Sequence, residues 1–310
     1  MFSKVLQFKS HLRRVISVLK KLKRLERESS TVKVLVANIL IKQNQSNARQ
    51  IIENIQLAEF KVFSQWGDDG IIQFLINYLN IQERTFIEFG VEDYTESNTR
   101  FLLINNNWTG LIMDGDKNNM DSVKKDNLYW HYHLTAVPVF ITAENINPLI
   151  IENGLEGEIG LLHIDIDGND YWVWKEITAV SPIIVIVEYN SVFGAEDTWS
   201  VPYKSDFDRT VAHHSTLYFG ASLAALCDLA EEKGYYFIGS NSNGNNAYFV
   251  RKDKIQDLKP LDAKSGYVLS KFRESRDKKG NLTYINGADR LKILHGLEIY
   301  NTRTKQLEKI

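Results

Sequence analysis

The sequence predicts an α/β chain: a doubly wound, mostly parallel sheet with a terminal antiparallel hairpin, preceded by an N-terminal helical segment. Three observations carry this. Between about residues 59 and 255, apolar runs of strand length alternate with helical patterns. Two of the runs, Ile159–Ile164 (IGLLHI) and Ile183–Val187 (IIVIV), are almost continuously apolar, as parallel strands covered on both faces must be. The last pair, Tyr235–Gly239 and Ala247–Arg251, flanks the turn-forming stretch 240–246 (SNSNGNN) and reads as a β-hairpin.

Three zones separate along the chain: 1–58, 59–255 and 256–310. The first contains no proline and no glycine, and its apolar residues recur at helical spacing: Leu12, Val15, Leu19 and Leu22, then Val32, Leu35, Val36 and Ile39. Ser29, Ser30 and Thr31 between them predict a second helix start. The first helix carries Lys20, Lys21, Lys23 and Arg24 beside its apolar stripe. It suits either a membrane surface or acidic partner, or a coiled coil or body contact with a solvated basic face; the second is favoured.

In the middle zone, Arg84–Phe89 is expected as the first strand and Thr95–Asn105 as a helix. Thr109–Met113 is the second strand, followed by a helix near Asn118–Lys125. His133–Ile141 is the third, with His131 and His133 sharing one face as structural residues, then a helix over Ala143–Glu152. A helix over Asp170–Thr178 joins the two apolar central strands, and another over Gly220–Lys233 precedes the hairpin. Repeated βα units imply right-handed crossovers. The tail carries 272–277 (FRESRD) and 282–287 (LTYING), expected as a small strand-and-helix unit.

Composition bounds the function. With 310 residues, 44% hydrophobic and 25% charged, the chain is ordinary globular material. A net charge of −2 gives no electrostatic case for nucleic acid. The single cysteine, Cys227, excludes an internal disulfide framework and a cysteine-cluster metal site. The longest apolar stretches, Pro182–Val187 and Val34–Ile41, fall short of the roughly 20 residues that span a bilayer. The basic N-terminus lacks the apolar core and cleavage site of a secretory signal. The expected location is cytoplasmic, with any membrane contact peripheral, on the inner face and through residues 1–58.

In an open α/β sheet, ligands bind beyond the carboxyl ends of the strands. Acidic or amide residues follow every predicted strand: Glu88 to Asp93, then Asp114 to Asp116, Thr142 to Asn145, Asp165 to Asp170, and Glu188 to Asn190. A dinucleotide would need a glycine-rich turn near its pyrophosphate. Here the first turn, GVEDY from Gly90, has one glycine and two acids, which would repel phosphate. S-adenosylmethionine has no phosphate and carries a sulfonium and an ammonium, so an acidic turn suits it. Asp114, ending the second strand, is placed to take ribose hydroxyls; a helix N-cap is the alternative. Five parallel strands with a terminal hairpin is, by analogy, the Rossmann-like layout of class I methyltransferases.

The blocks SQWGDDG (64–70), FIEFGVEDY (86–94), SNTR (97–100), DIDGNDYW (165–172) and YFGASL (218–223), in this order, resemble the FkbM-like group of S-adenosylmethionine-dependent methyltransferases associated with bacterial surface glycans. The similarity runs from about Phe63 into the tail and includes FRESRD; the glycine-rich first motif is reduced to Gly90. The resemblance implies an O-methyltransferase acting on a sugar hydroxyl of a glycan or of its nucleotide- or lipid-linked precursor.

The expected cofactor residues are Glu88, Gly90, Asp114 and Asn145, with Gln65 and Asp68 as a lid. Asp165, Glu188 and Asn190 form a candidate Mg²⁺ site across neighbouring strands, with direct substrate or cofactor contacts as the equal alternative. Asp165 is expected to orient the hydroxyl, and His213 or His214 to take its proton. A twelve-residue calcium loop from Asp165 fails because its sixth position, Asp170, is not glycine. Trp172 and Trp174 are expected as packing. The competing function is a non-catalytic module of glycan assembly with a degenerate cofactor turn, and the helical N-terminus makes a homo-oligomer an expectation of either.

Overall fold

The computed structural model describes residues 2–310, without the side chains of 2–13, 16, 23, 26 and 27. Seven strands form the main sheet: β1 Thr85–Phe89, β2 Thr109–Asp114, β3 Leu134–Pro138, β4 Gly157–Ile164, β5 Val180–Glu188, β7 Tyr235–Ser240 and β8 Asn246–Arg251. A second sheet joins β6 Trp199–Ser200, β9 Glu298–Asn301 and β10 Gln306–Lys309.

The main sheet has the order β3-β2-β1-β4-β5-β8-β7. The pairs β3–β2, β2–β1, β1–β4 and β4–β5 are parallel, whereas β8 runs antiparallel to β5 and β7 antiparallel to β8. This is the doubly wound, mostly parallel Rossmann-like sheet with an antiparallel edge that the sequence predicts. The sequence dictates it simply. Strands β1, β4 and β5 each end in a fully buried run, so both faces must be covered, and helices do so. Two apolar clusters fill those faces, one around Phe86, Leu161 and Ile184 and the other around Phe89, Leu162 and Val185. The strand order reverses between β1 and β4, which opens a crevice beyond their carboxyl ends.

The elements match the sequence pattern, with shifts set by local chemistry. The helix expected from Thr95 begins at Arg100, because residues 95–99 form a hydrogen-bonded turn around Glu88. The helix expected from Gly220 begins at Leu223, where Ser222 caps it by accepting from Ala225 N. His131 ends a short helix over Asn127–His131 and His133 precedes β3, so they do not share a strand face. In the tail, the paired strands are Glu298–Asn301 and Gln306–Lys309; residues 282–287 supply only an isolated bridge at Leu282. Trp174 is buried in the core, and Trp172 packs between Tyr171, Tyr203 and Tyr300.

The largest departure is at the N-terminus. Residues Phe2–Ser46 form one continuous helix, not two. Serine and threonine at 29–31 do not stop it, since only proline or glycine would remove a backbone hydrogen bond or loosen the chain there. Its later part docks on the body: Ala37 is buried against Val62 and Phe101, and Asn38 Nδ2 donates to Asn105 Oδ1 at 3.0 Å. Asn44 Nδ2 donates to Ala58 O at 2.9 Å. Leu12 of the expected stripe lies outside the described side chains. Among the described residues, no helix is long and apolar enough to cross a membrane.

Candidate functional site

A cavity of about 540 Å³ opens at the strand-order reversal. Its wall is built from the ends of β1 (Glu88, Gly90), β2 (Met113, Asp114), β4 (His163, Asp165, Asp167) and β5 (Glu188). Gln65 and Trp66 close one side, and Arg209, Phe272 and Glu274 another.

Gly90 is fixed by geometry. Its φ of +70° is left-handed, and a Cβ there would lie 1.6 Å from the Asp165 carbonyl oxygen. Only glycine lets the β1 turn pass so close to the end of β4. The following turn brings Glu92 N to Asp114 Oδ2 at 2.8 Å, while Asp116 N donates to Asp114 Oδ1 at 2.8 Å. Both Asp114 oxygens keep a further lone pair, and the side chain is only partly buried. It is therefore free to accept ligand hydroxyls.

Beneath this turn, Glu88 is a hub. Its Oε2 accepts from Ser97 Oγ at 2.5 Å, from Thr99 N at 3.1 Å and from Thr99 Oγ1. Its Oε1 accepts from Asn98 N at 3.0 Å and pairs with His163 Nδ1 at 2.9 Å. Burial opposes charge on both partners, yet their mutual hydrogen bond and attraction win: Glu88 titrates below the ordinary glutamate value and His163 above the ordinary histidine value. Asn98 Nδ2 contacts His163 Nε2 at 3.1 Å, so the ring is held at both nitrogens.

The other half of the cavity is a carboxylate cluster. One oxygen from each of Asp165, Asp167 and Glu188 lies within 4.8 Å of the others. Burial, then the charge of Asp167, pushes Asp165 up to about 7. Burial, then the charge of Asp165, raises Glu188 well above the usual range. Glu188 is 8% exposed and its Oε2 has no hydrogen-bond partner. An all-oxygen donor set with an orphaned buried carboxylate oxygen fits a hard divalent cation. Arg209 already offsets part of the charge, pairing with Asp167 and, at 3.3 Å, with Glu274. Asp170 shapes the loop beneath by accepting from Ile166 N at 2.8 Å and Gly168 N at 2.9 Å; burial pushes it up to about 6. Asp167 itself adopts a left-handed φ of 56°, backbone strain of the kind found at functional sites.

Of the residues singled out in the sequence, Gln65, Glu88, Gly90, Asp114, Asp165 and Glu188 line this one cavity. The others are employed elsewhere. Asp68 lies beneath the β7–β8 hairpin, accepting from Asn241 and Asn246 Nδ2, each at 3.0 Å, and from Tyr248 Oη at 2.5 Å. Asn145 closes its own turn, accepting from Thr142 N and donating to Phe140 O. The Asn190 amide accepts from Val192 N and donates to Leu217 O and Phe219 O, so Asp167 takes its place in the cluster. His213 and His214 are not part of the cavity lining; His213 Nδ1 bonds Ser215 Oγ at 2.7 Å.

Sequence reasoning missed His163, Arg209, Asp69 and the tail residues. His163 had a signal, being the one ionisable residue in an apolar central strand. Asp69 had a weaker one, in the run DDG. Its Oδ2 accepts from Val62, Phe63 and Ser64 N, at 2.7, 2.8 and 2.8 Å, and thereby shapes the loop that carries Gln65 and Trp66. Glu274 had one in the FRESRD block that the resemblance included, without a site role; Arg209 had none, because only the fold brings its segment to the rim.

No family model matches the sequence, and no curated protein matches it. Among solved structures, the N-terminal domain of EvdMO1 with SAH bound is 10% identical, with a TM-score of 0.40, over 67% of this chain and 94% of that one. An S-adenosylmethionine-dependent methyltransferase from Clostridium acetobutylicum is 9% identical, with a TM-score of 0.38, over 67% and 98%. Likenesses of this size carry neither activity nor substrate to this chain.

Proposed function

We propose that the chain is an S-adenosylmethionine-dependent O-methyltransferase that acts on a sugar hydroxyl of a surface glycan or its nucleotide- or lipid-linked precursor. One observation carries the reading: the cavity at the strand-order reversal is walled by carboxylates on both sides and has no glycine-rich phosphate cradle. That composition disfavours a dinucleotide and suits a cationic cofactor beside a polyol.

The cofactor supplies a methyl group on a positively charged sulfur; transfer to oxygen breaks the carbon–sulfur bond, leaves a neutral thioether and releases the hydroxyl proton. The chain's part is placement and proton removal. Asp114 accepts from ribose hydroxyls. Gly90 lets the first turn lie close to the adenosyl–methionine portion, and the Glu88 hub holds Ser97 and Asn98 at that wall. Asp165 stands at the acceptor side, and its pKa of about 7 suits a carboxylate that takes up a proton near neutrality. It replaces the loop histidines in that role. Alternatively, Asp165, Asp167 and Glu188 would hold a divalent cation, which when bound would supply positive charge to acidify the hydroxyl, with Asp165 then an ionised ligand rather than the proton acceptor. Arg209 and Glu274 border the space left for the sugar.

The test is a thermal-shift titration with S-adenosylmethionine and S-adenosylhomocysteine, with NAD as control and with Mg²⁺ or Mn²⁺ added in parallel. At a hundred times its Kd, a ligand stabilises by about 2.7 kcal/mol, several degrees in a chain of this size. A shift with the sulfur compounds and none with NAD is expected, and it should shrink in Asp114→Asn. No shift at saturation would leave the non-catalytic module standing, and a shift with NAD alone would refute the cofactor assignment.

A further inference from the structure

The N-terminal helix extends far beyond what its docking needs. Its 45 residues span about 68 Å, and the contacts to the body come from its last third, through Val34, Ala37, Asn38, Ile41 and Asn44. A second face carries exposed apolar residues, of which Val32 and Val36 also border a groove against Phe60, Lys61 and Val62. Its residues follow a 3-4 spacing from 15 to 39, the period of a left-handed coiled coil, and are apolar at every position except Ser29. The a positions are Val15, Leu22, Ser29 and Val36. The d positions are Val18, Leu25, Val32 and Ile39. The apolar members of this seam are 43 to 66% exposed.

We propose that this seam pairs with the same helix of a second copy, in a parallel, in-register coiled coil that makes the protein a dimer. The flanking charges select this occupant. In a parallel pair each g residue faces the e residue five positions later on the partner helix. Glu28 then faces Lys33, and Leu35 faces Leu40. One of these pairs is of opposite charge and the other is apolar, and the two-fold symmetry of a single sequence meeting itself makes each pair twice. Glu28 makes an exposed contact with Arg24, at 3.0 Å one turn back. An anionic membrane fits worse, because Glu28 lies beside the apolar seam and would be pressed against the lipid headgroups. Ser29 at a central a position supplies the polar interruption that fixes register.

Residues 34–44 of each helix dock on their own body, so the dimer would set two cavities apart on separate bodies rather than build one from both. The inference is independent of the cofactor reading.

Sedimentation equilibrium of the full chain tests it, with Ser29→Cys in a Cys227→Ser background as a register probe. The expected results are a dimer at micromolar concentration and a rapid Cys-to-Cys cross-link across the a position. Leu22→Asp with Leu25→Asp, at exposed positions, should give a monomer whose thermal midpoint for the body is unchanged. Glu28→Lys should weaken the dimer at least tenfold, and adding Lys33→Glu should restore it. A monomer up to about 100 µM overturns the proposal, as does a dimer indifferent to the double aspartate variant. A dimer without the cross-link overturns the parallel register. Recovery of a monomeric protein on anionic vesicles would assign the seam to lipid instead.

Discussion

Replacing Glu88 by glutamine tests how the site is held together. The side chain is 2% exposed and accepts five hydrogen bonds. Glutamine keeps the shape but turns one acceptor into a donor. If its nitrogen takes the Oε2 place, it faces Thr99 N–H; if it takes the Oε1 place, it faces Asn98 N–H. The hydroxyls of Ser97 and Thr99 and the His163 ring can readjust, but a backbone N–H cannot. Either orientation therefore orphans one buried donor and strips His163 of its counter-charge. Breaking one side of a buried pair costs about 3–5 kcal/mol. The loss should depend on pH. Glu88 is lowered from 4.5, so its contribution is present above that pH and fades as pH falls. His163 is raised from 6.5, so its contribution is complete below that pH and fades as pH rises through the raised value. The pair thus stabilises most between about 4.5 and 6.5. Urea unfolding of both proteins at pH 5.5 and 8.5 should show a gap of several kcal/mol, wider at the lower pH. A gap below about 1 kcal/mol, or one that widens with rising pH, would refute this account of the hub.

Gly90→Ala should abolish the thermal shift with S-adenosylhomocysteine. The added Cβ needs the Asp165 carbonyl to retreat by roughly 1.8 Å to reach ordinary contact, and the left-handed φ adds about 1–2 kcal/mol of strain. Asp114→Asn should weaken the same ligand tenfold or more by calorimetry, since a hydrogen bond to a charged group contributes about 1.5–3 kcal/mol. Asp69 is raised by burial from 3.8 to about 6, so the folded state takes up a proton in that window and the residue's contribution to stability falls as pH rises through it. The melting midpoint of wild type minus that of Asp69→Asn should fall as pH rises from 4 to about 6 and then stay level to pH 8; a difference that rises over the first interval, or changes mainly between 7 and 8, would exclude this titration. Asp167→Asn with Glu188→Gln should remove any Mn²⁺ binding measured by calorimetry while sparing the S-adenosylhomocysteine shift.

The sheet was legible because burial on two faces leaves almost no choice of residue. Runs such as IIVIV and IGLLHI can be little else when helical patterns separate them. The strand-end acids were legible for a related reason: charge tolerated next to such runs must face solvent or a ligand. What the pattern withheld was partner choice. Asn145 and Asn190 have the right chemistry for a ligand, but backbone groups two to five residues away, or on the 217–219 loop, claim their amides first. Asp68 and Asp69 are adjacent, and nothing in the sequence says that one ties down the β7–β8 hairpin while the other builds the loop over the cavity. The single N-terminal helix was hidden by Ser-Ser-Thr, which favours caps without enforcing them.

The cavity has two halves with different origins, and this gives the proposed chemistry its structure. The cofactor half belongs to the β1 and β2 turns, where Gly90, Asp114 and the Glu88 hub are locked by backbone hydrogen bonds. The acceptor half mixes strand-end carboxylates of β4 and β5 with Arg209, at the start of a short helix over Arg209–Ala212 in the connection after β6, and Glu274, from an irregular segment of the tail. Rigid parts suit an invariant cofactor, and loop-borne parts suit a substrate that differs among proteins sharing such a sheet. Arg209 is the joint between them, held over the Phe219 ring at 4.8 Å while it pairs with Asp167 on one side and Glu274 on the other. Arg209→Lys keeps the charge but loses the two-sided planar grip. It should therefore leave cofactor binding within twofold of wild type and raise KM for the sugar acceptor by an order of magnitude or more. Equal losses of cofactor and acceptor would mean that the two halves are not separable and that Arg209 supports the whole cavity.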